Sequence, residues 1–139
     1  MTKAPCTIAM IGLGVMGSNL ARNLARHGQR VALYDRNSEA ARTLAARHPE
    51  AGFTACDSID ALVGAVARPR PIILLVPAGD PVDESLAALA PRLEPDDVVI
   101  DAGNSFFRDT DRRAARTKDA PWHFVGMGEI GRASCRERV

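Results

Sequence analysis

Short apolar runs alternate with polar, amphipathic stretches along almost the whole chain. The clearest runs occupy residues 7–11, 31–34, 72–76, 98–100 and 123–125. The segment 51–55 is a weaker candidate, either a short strand or a loop. Apolar runs of this length, bounded by polar and turn residues, are typical of strands that are buried on both faces of a sheet.

The stretches between these runs predict helices. In the first and fourth of them the apolar residues recur every three or four positions, the second is rich in alanine, and the last is very basic. The predicted helices cover the segments 17–28, 38–47, 58–66, 80–93 and 110–117. Ser38 is expected to cap the second helix, and Asp57 or Ser58 the third. Strands that alternate with helices predict βαβ units, and therefore an α/β fold with a doubly wound parallel sheet in a single domain.

Composition limits the classes of protein to which the chain could belong, but it does not identify one. A chain of 139 residues that is 46% hydrophobic is long enough for one domain with its own core. The net charge of +1 favours neither a nucleic-acid-binding face nor a membrane-binding patch. No apolar run could span a bilayer and no signal-peptide pattern is present, so we expect a cytoplasmic location. The three cysteines and three histidines are scattered, so no disulfide framework or metal site is expected.

The turn after the first apolar run carries the clearest chemistry, and it reads Gly12-Leu13-Gly14-Val15-Met16-Gly17. This G-x-G-x-x-G pattern lies between a predicted strand and a predicted helix, which is the context that a Rossmann-like dinucleotide site needs. Gly12 would allow the tight turn, Gly14 would let a pyrophosphate approach the backbone, and Gly17 would let helix and strand pack closely. The helix N-terminus would then offer N–H groups to the phosphates.

The end of the second predicted strand should contact the adenosine ribose of a bound dinucleotide. Asp35 is the usual partner of a free 2′-hydroxyl group and favours NAD, whereas Arg36 is the usual partner of a 2′-phosphate and favours NADP. The two signals conflict unless the Asp35 carboxylate turns away from the phosphate. The residues alone leave this choice open.

Two later turns follow predicted strands at the edge of the sheet where such folds bind ligands. They read Val76-Pro77-Ala78-Gly79 and Asp101-Ala102-Gly103-Asn104-Ser105. Their small residues would let a cofactor approach closely, although ordinary turns use the same residue types. Four arginines lie in or just before the last predicted helix: Arg108, Arg112, Arg113 and Arg116. They could attract a phosphate, but we interpret them as a solvated helix face.

Taken in order, these segments resemble the N-terminal NAD(P)-binding domain of 6-phosphogluconate dehydrogenase. The matching segments are IGLGVMGSNLARN at 11–23, YDRN at 34–37, VPAG at 76–79, DAGNS at 101–105, RDTDRR at 108–113 and HFVG at 123–126. The resemblance covers about residues 7–128. It is far more specific than the glycine motif alone.

The resemblance implies an oxidoreductase of the pentose phosphate pathway, which oxidises 6-phosphogluconate at C3 with a nicotinamide cofactor and decarboxylates it to ribulose 5-phosphate. It implies that residues 12–17 hold the pyrophosphate and that Asp35, Arg36 and Asn37 hold the adenosine end. Residues 76–78 would line the path to the nicotinamide. Asn104 would lie between the nicotinamide ribose and the substrate, and so bind both.

Departures from the family pattern bear on the cofactor. NADP-using members typically carry Asn-Arg at positions 35–36 and Val-Lys-Ala-Gly at positions 76–79. The replacements in this chain look like a shorter branch that leans toward NAD, whereas the glycine motif looks like the longer NADP branch. These signals conflict; NADP is the expected cofactor, with NAD as the alternative. The family's Asp-Gly-Gly-Asn has become Asp-Ala-Gly-Asn at Ala102.

The resemblance stops after Gly128, where the family continues into a substrate loop and a helical domain with the catalytic Lys, the catalytic Glu and the dimer interface. We therefore expect a cofactor-binding domain over residues 1–128, no catalytic residue in this chain, and a homodimer only when the C-terminal domain is present. Residues 129–139 are expected to be a non-native or disordered tail, because a DNA string resembling a sequencing-library adapter encodes them in one frame.

Two other functions fit the same residues. The chain could be part of a β-hydroxyacid dehydrogenase of the 3-hydroxyisobutyrate type, which shares the glycine motif. It could also be a stand-alone nucleotide-binding module.

Overall fold

Six strands form one wholly parallel sheet in the computed structural model, which describes residues 4–127. The strands are β1 (Ile8–Ile11), β2 (Val31–Tyr34), β3 (Thr54–Ala55), β4 (Pro71–Leu74), β5 (Val98–Asp101) and β6 (His123–Gly126). Their order across the sheet is β3-β2-β1-β4-β5-β6. This is the doubly wound order of the Rossmann fold, so the predicted fold class is confirmed. The predicted tail at 129–139 lies outside the described residues.

Five helices connect the strands, close to the predicted positions. They are α1 (Val15–Arg26), α2 (Ser38–Arg47), α3 (Ile59–Ala65), α4 (Asp80–Leu89) and α5 (Phe107–Thr117). Short 3₁₀ turns follow α2 and α4, at Pro49–Ala51 and Ala90–Arg92. Helices α1 and α5 begin at Val15 and Phe107, before the predicted Gly17 and Thr110. The apolar residues of these first turns are exposed, so they do not extend the buried helical pattern.

One predicted helix cap is wrong. Asn37, rather than Ser38, caps α2: its side-chain oxygen accepts a hydrogen bond from the Glu39 N–H at 3.1 Å. Asn and Ser are almost equally good caps, so adjacent candidates cannot be ranked by residue type. Ser58 caps α3, and its hydroxyl accepts from the Ala61 N–H at 3.0 Å.

The strands bury both faces, because alternate side chains point to opposite sides of the sheet. Met10, Leu33 and Ile73 belong to the core on the side of α1 and α2. Their strand neighbours face the other core, on the side of α3 and α4: Ala9, Ile11, Ala32, Ile72 and Leu74. The result is a three-layer α/β/α domain.

The topology places a crevice between β1 and β4. These strands are adjacent and parallel, and Ile11 pairs with Leu74. The chain leaves β1 into α1 on one side of the sheet and leaves β4 into α4 on the other. The loops therefore diverge and open a crevice at the carboxyl edge, where ligands bind in such sheets.

Candidate cofactor-binding site

A groove of about 660 Å³ occupies this crevice. The loops that follow β1, β2, β4 and β5 line it, together with one face of α4. All the predicted cofactor-binding residues except Asn37 line it: Gly12, Leu13, Gly14, Val15, Met16, Gly17, Asp35, Arg36, Val76, Pro77, Ala78 and Asn104. The structure thus brings four separate sequence segments to one site.

The backbone of the glycine turn requires two of its glycines and leaves room above the third. Gly12 has a φ of +98°, and a Cβ atom there would lie 2.3 Å from the Leu75 carbonyl oxygen. A Cβ atom on Gly17 would lie 1.9 Å from the Gly12 carbonyl oxygen. A Cβ atom on Gly14 would meet nothing within 4 Å. The space above Gly14 is therefore open to a ligand.

The N-terminus of α1 borders this space. Gly14 is the cap residue, so no side chain caps the first turn, and the first turn carries no acidic residue. The first N–H groups of a helix lack partners within the helix and carry a partial positive charge. This end of α1 can accept a phosphate group.

Asp35 turns toward the glycine turn. One of its carboxylate oxygens accepts a hydrogen bond from the Leu13 N–H at 2.7 Å, and the other accepts from the Asn37 N–H at 2.9 Å. The carboxylate thus connects the end of β2 to the loop after β1. This arrangement removes part of the conflict between Asp35 and Arg36, because the negative charge is held by two backbone donors.

Arg36 points across the groove toward α4. Its guanidinium lies 3.7 Å from the Glu84 carboxylate, and the two side chains are 78% and 65% exposed. Both residues line the groove. Arg36 is therefore a cation at the groove wall that is accessible to an anionic ligand.

Sequence reasoning missed the contribution of α4. Four of its residues line the groove: Pro81, Glu84, Ser85 and Ala88. Their spacing of three, one and three positions places them on a single helix face. The apolar face of α4 is a different one, and its Val82, Leu86 and Leu89 are buried. The sequence did contain a signal for this contribution, because α4 has a second face made of small and polar residues.

The loop after β5 is ordered by Asp101. This buried carboxylate accepts hydrogen bonds from the Gly103 N–H at 3.2 Å and the Ser105 hydroxyl at 2.5 Å. A Cβ atom on Gly103 would lie 3.1 Å from the Val76 carbonyl oxygen, so the loops after β4 and β5 pack closely. Asn104 is thereby held at the groove, beside the segment 76–78.

The interpretation of the α5 arginines as a solvated face is wrong for Arg113. Its side chain is 1% exposed, whereas Arg108, Arg112 and Arg116 are exposed. Because α5 follows a polar pattern with no apolar stripe, nothing in its own residues marks the buried position. Its hydrogen bonds to Asp83 on α4 and to the Gly79 carbonyl oxygen accompany its burial.

Arg113 joins three parts of the site. It donates hydrogen bonds to the Asp83 carboxylate at 2.9 Å, the Gly79 carbonyl oxygen at 3.1 Å and the Ser105 hydroxyl at 3.3 Å. The hydrogen bond from Arg113 holds the pKa of Asp83 below its ordinary value. Arg113 therefore connects α5 to both loops that approach the predicted nicotinamide end.

Within residues 4–127, no group of three His, Cys, Asp or Glu side chains could hold a metal ion. None of the helices described there is both long and apolar enough to cross a membrane.

Comparison with known proteins identifies the family. Residues 7–134 match the family described as the NAD binding domain of 6-phosphogluconate dehydrogenase. The chain belongs to this family. The resemblance inferred from the glycine turn and the later segments is thus confirmed.

Solved and curated relatives agree with this membership. A structure of Plasmodium falciparum 6-phosphogluconate dehydrogenase matches with a TM-score of 0.82 and 31% identity, over 88% of this chain and 27% of that chain. The Chlamydia pneumoniae decarboxylating 6-phosphogluconate dehydrogenase is 42% identical over 128 residues, which are 89% of this chain and 26% of that protein. The chain thus spans about a quarter of the length of these two relatives.

Two relatives from Bacillus subtilis differ in cofactor. The NADP(+)-dependent decarboxylating 6-phosphogluconate dehydrogenase is 37% identical, over 89% of this chain and 26% of that protein. The NAD(+)-dependent one is 38% identical, over 90% of this chain and 27% of that protein. Overall similarity to these two relatives therefore does not separate the two cofactors.

Proposed function

We propose that this chain is the cofactor-binding part of a decarboxylating 6-phosphogluconate dehydrogenase, which converts 6-phosphogluconate to ribulose 5-phosphate in the pentose phosphate pathway. The observation that carries the proposal is the groove between β1 and β4, which gathers the predicted segments around the open space above Gly14. Family membership supports the same activity.

In this proposal the pyrophosphate lies over Gly14 at the N-terminus of α1. The adenosine end lies between the Asp35–Arg36 turn and the groove face of α4, where Ser85 and Ala88 leave room for it. The nicotinamide end extends toward residues 76–78. Asn104 contacts both the nicotinamide ribose and 6-phosphogluconate.

NADP is the proposed cofactor, with NAD as the alternative. The orientation of Asp35 toward the Leu13 N–H supports NADP, because the carboxylate then faces the protein backbone. The exposed Arg36 guanidinium supports it too, because a 2′-phosphate can reach that guanidinium.

The chemical steps need residues beyond the cofactor groove. An acid or base must lie within hydrogen-bond reach of the reacting atoms, and the family's catalytic Lys and Glu have no counterpart in this sequence. We therefore propose that the chain binds cofactor without turnover, and that 6-phosphogluconate binding and dimer formation require the helical domain. The cytoplasmic location stays a prediction.

Calorimetric titration of the purified chain with NADP and with NAD tests the proposal. We expect saturable binding of one cofactor per chain, and no NADPH formation when 6-phosphogluconate is added. The absence of binding by either cofactor would contradict the proposed function. Turnover by the purified chain would contradict the proposal that it binds cofactor without catalysing the reaction.

A further inference from the structure

We propose that Glu84 sets the balance between NADP and NAD by holding the guanidinium of Arg36. This inference rests on the proposed function, because it assumes that the groove binds the adenosine end of the cofactor. It assigns a specificity-determining role to a residue on α4, outside the glycine turn and outside the end of β2.

The geometry isolates one carboxylate of α4 for this role. Asp83 is already bonded to Arg113, on the side of α4 that faces α5. Asp80 does not line the groove, whereas Glu84 does. The Glu84 carboxylate lies 3.7 Å from the Arg36 guanidinium, so it is the α4 carboxylate that faces the predicted 2′-phosphate site.

The carboxylate beside Arg36 in sequence is engaged elsewhere. Asp35 accepts hydrogen bonds from the backbone N–H groups of Leu13 and Asn37. Arg36 instead pairs with a residue on a different element, so the ion pair connects the turn after β2 to α4 across the groove. A ligand that enters the groove between the turn after β2 and α4 must pass the Arg36–Glu84 ion pair.

The two cofactors place different demands on the pair. The 2′-phosphate of NADP needs the Arg36 guanidinium and competes with Glu84 for it. The 2′-hydroxyl group of NAD carries no charge and leaves the pair intact. Glu84 therefore lowers the affinity for NADP without lowering the affinity for NAD.

The direct test is the Glu84→Gln variant, which keeps the size of the side chain and removes its charge. Exposed ion pairs have small free energies, so we expect the Kd for NADP to fall by about threefold to tenfold. The Kd for NAD should change by less than about twofold. Adenosine 2′,5′-bisphosphate and 5′-AMP should repeat this contrast, since they differ at the 2′ position alone.

Two controls isolate the mechanism. Glu50→Gln removes the same charge from an exposed residue outside the groove, and it should leave both Kd values unchanged. Combining Glu84→Gln with Arg36→Ala tests whether Glu84 acts through Arg36. When Arg36 is absent, Glu84→Gln should raise the affinity for NADP by less than about twofold. Thermal melting of each variant verifies the fold, and Glu84→Ser provides a second neutral replacement.

The outcomes separate the inference from the function on which it rests. If the unmodified chain binds both nucleotides and Glu84→Gln changes neither Kd, or changes both equally, the inference is overturned and the proposed function stands. If the full gain persists without Arg36, Glu84 acts by direct repulsion and the proposed route is wrong. If no chain binds any nucleotide, both the function and the inference fail.

Discussion

The glycine turn shows how single residues can be required for opposite reasons. Gly12 and Gly17 are required by the protein itself, because a side chain at either would collide with backbone atoms. Gly14 is different, since its φ of −68° suits any residue and no atom occupies the space beside it. The open space beside Gly14 agrees with the proposed position of the pyrophosphate.

This contrast predicts a variant that folds normally and binds poorly. Gly14→Ala should leave the melting temperature almost unchanged, whereas the Kd for the preferred cofactor should rise about tenfold or more, because the methyl group displaces the pyrophosphate. Gly64→Ala is the matched control, since a Cβ atom there also meets nothing within 4 Å but lies outside the groove. Equal affinities of the two variants would refute a pyrophosphate site over Gly14.

Among the secondary-structure elements, some features follow from the local sequence pattern, whereas others depend on how the elements pack together. The strands and helices followed from apolar spacing, which is a local property of runs such as 31–34 and 98–100. Twelve of the residues expected at the cofactor site also converge, because parallel strands bring their carboxyl ends to one edge. The burial of Arg113 and the groove position of Glu84 depend on how α4 is placed against the rest of the molecule. The polar face of α4 can be recognised in the sequence, but the sequence pattern does not show that this face meets the groove.

Arg113 shows what depends on that packing. Replacing it with Met keeps much of its volume but leaves the Asp83 carboxylate, the Gly79 carbonyl oxygen and the Ser105 hydroxyl without their shared donor. The free energy of unfolding should fall by about 1–3 kcal/mol, which denaturant titration would measure. Cofactor affinity should also weaken, because Arg113 holds the loops after β4 and β5 together.

Arg112→Met is the matched control for this variant. Its guanidinium also pairs with Asp83, at 3.2 Å, but the side chain is 51% exposed. Exposed ion pairs contribute little to stability, so this variant should unfold within about 0.5 kcal/mol of the unmodified chain. If both variants lost the same stability, burial of Arg113 would not be the reason for its role.

On the scale of the whole molecule, the two opposite edges of the sheet carry different features. The groove occupies the carboxyl edge of the sheet, whereas a buried carboxylate, Asp97, lies at the start of β5 on the opposite edge.

Large hydrophobic side chains are exposed near α5 and the edge strand β6: Phe106, Phe107, Val125 and Met127. Such exposure is typical of surfaces that pack against further polypeptide, and it supports the proposal of a helical domain.

Asp97 predicts how the stability of the molecule depends on pH. Burial alone would raise its pKa, but hydrogen bonds from the Glu94 N–H, the Arg70 N–H and the Arg70 guanidinium outweigh burial and lower the pKa. A group whose pKa is lower in the folded state stabilises it above the unfolded pKa, near 3.9. This stability is lost as the pH falls through the lower pKa of the folded state.

The melting temperature should therefore fall steeply below about pH 4, and Asp97→Asn should lower it at pH 7 while flattening the acid dependence. Asp111→Asn, at an exposed position of α5, should leave the profile unchanged. Because Asp97 lies at the edge opposite the groove, the Asn variant should keep its cofactor affinity at temperatures where it remains folded. An unchanged acid profile in Asp97→Asn would show that other carboxylates control the acid transition, with Asp83 beside Arg113 the next to test.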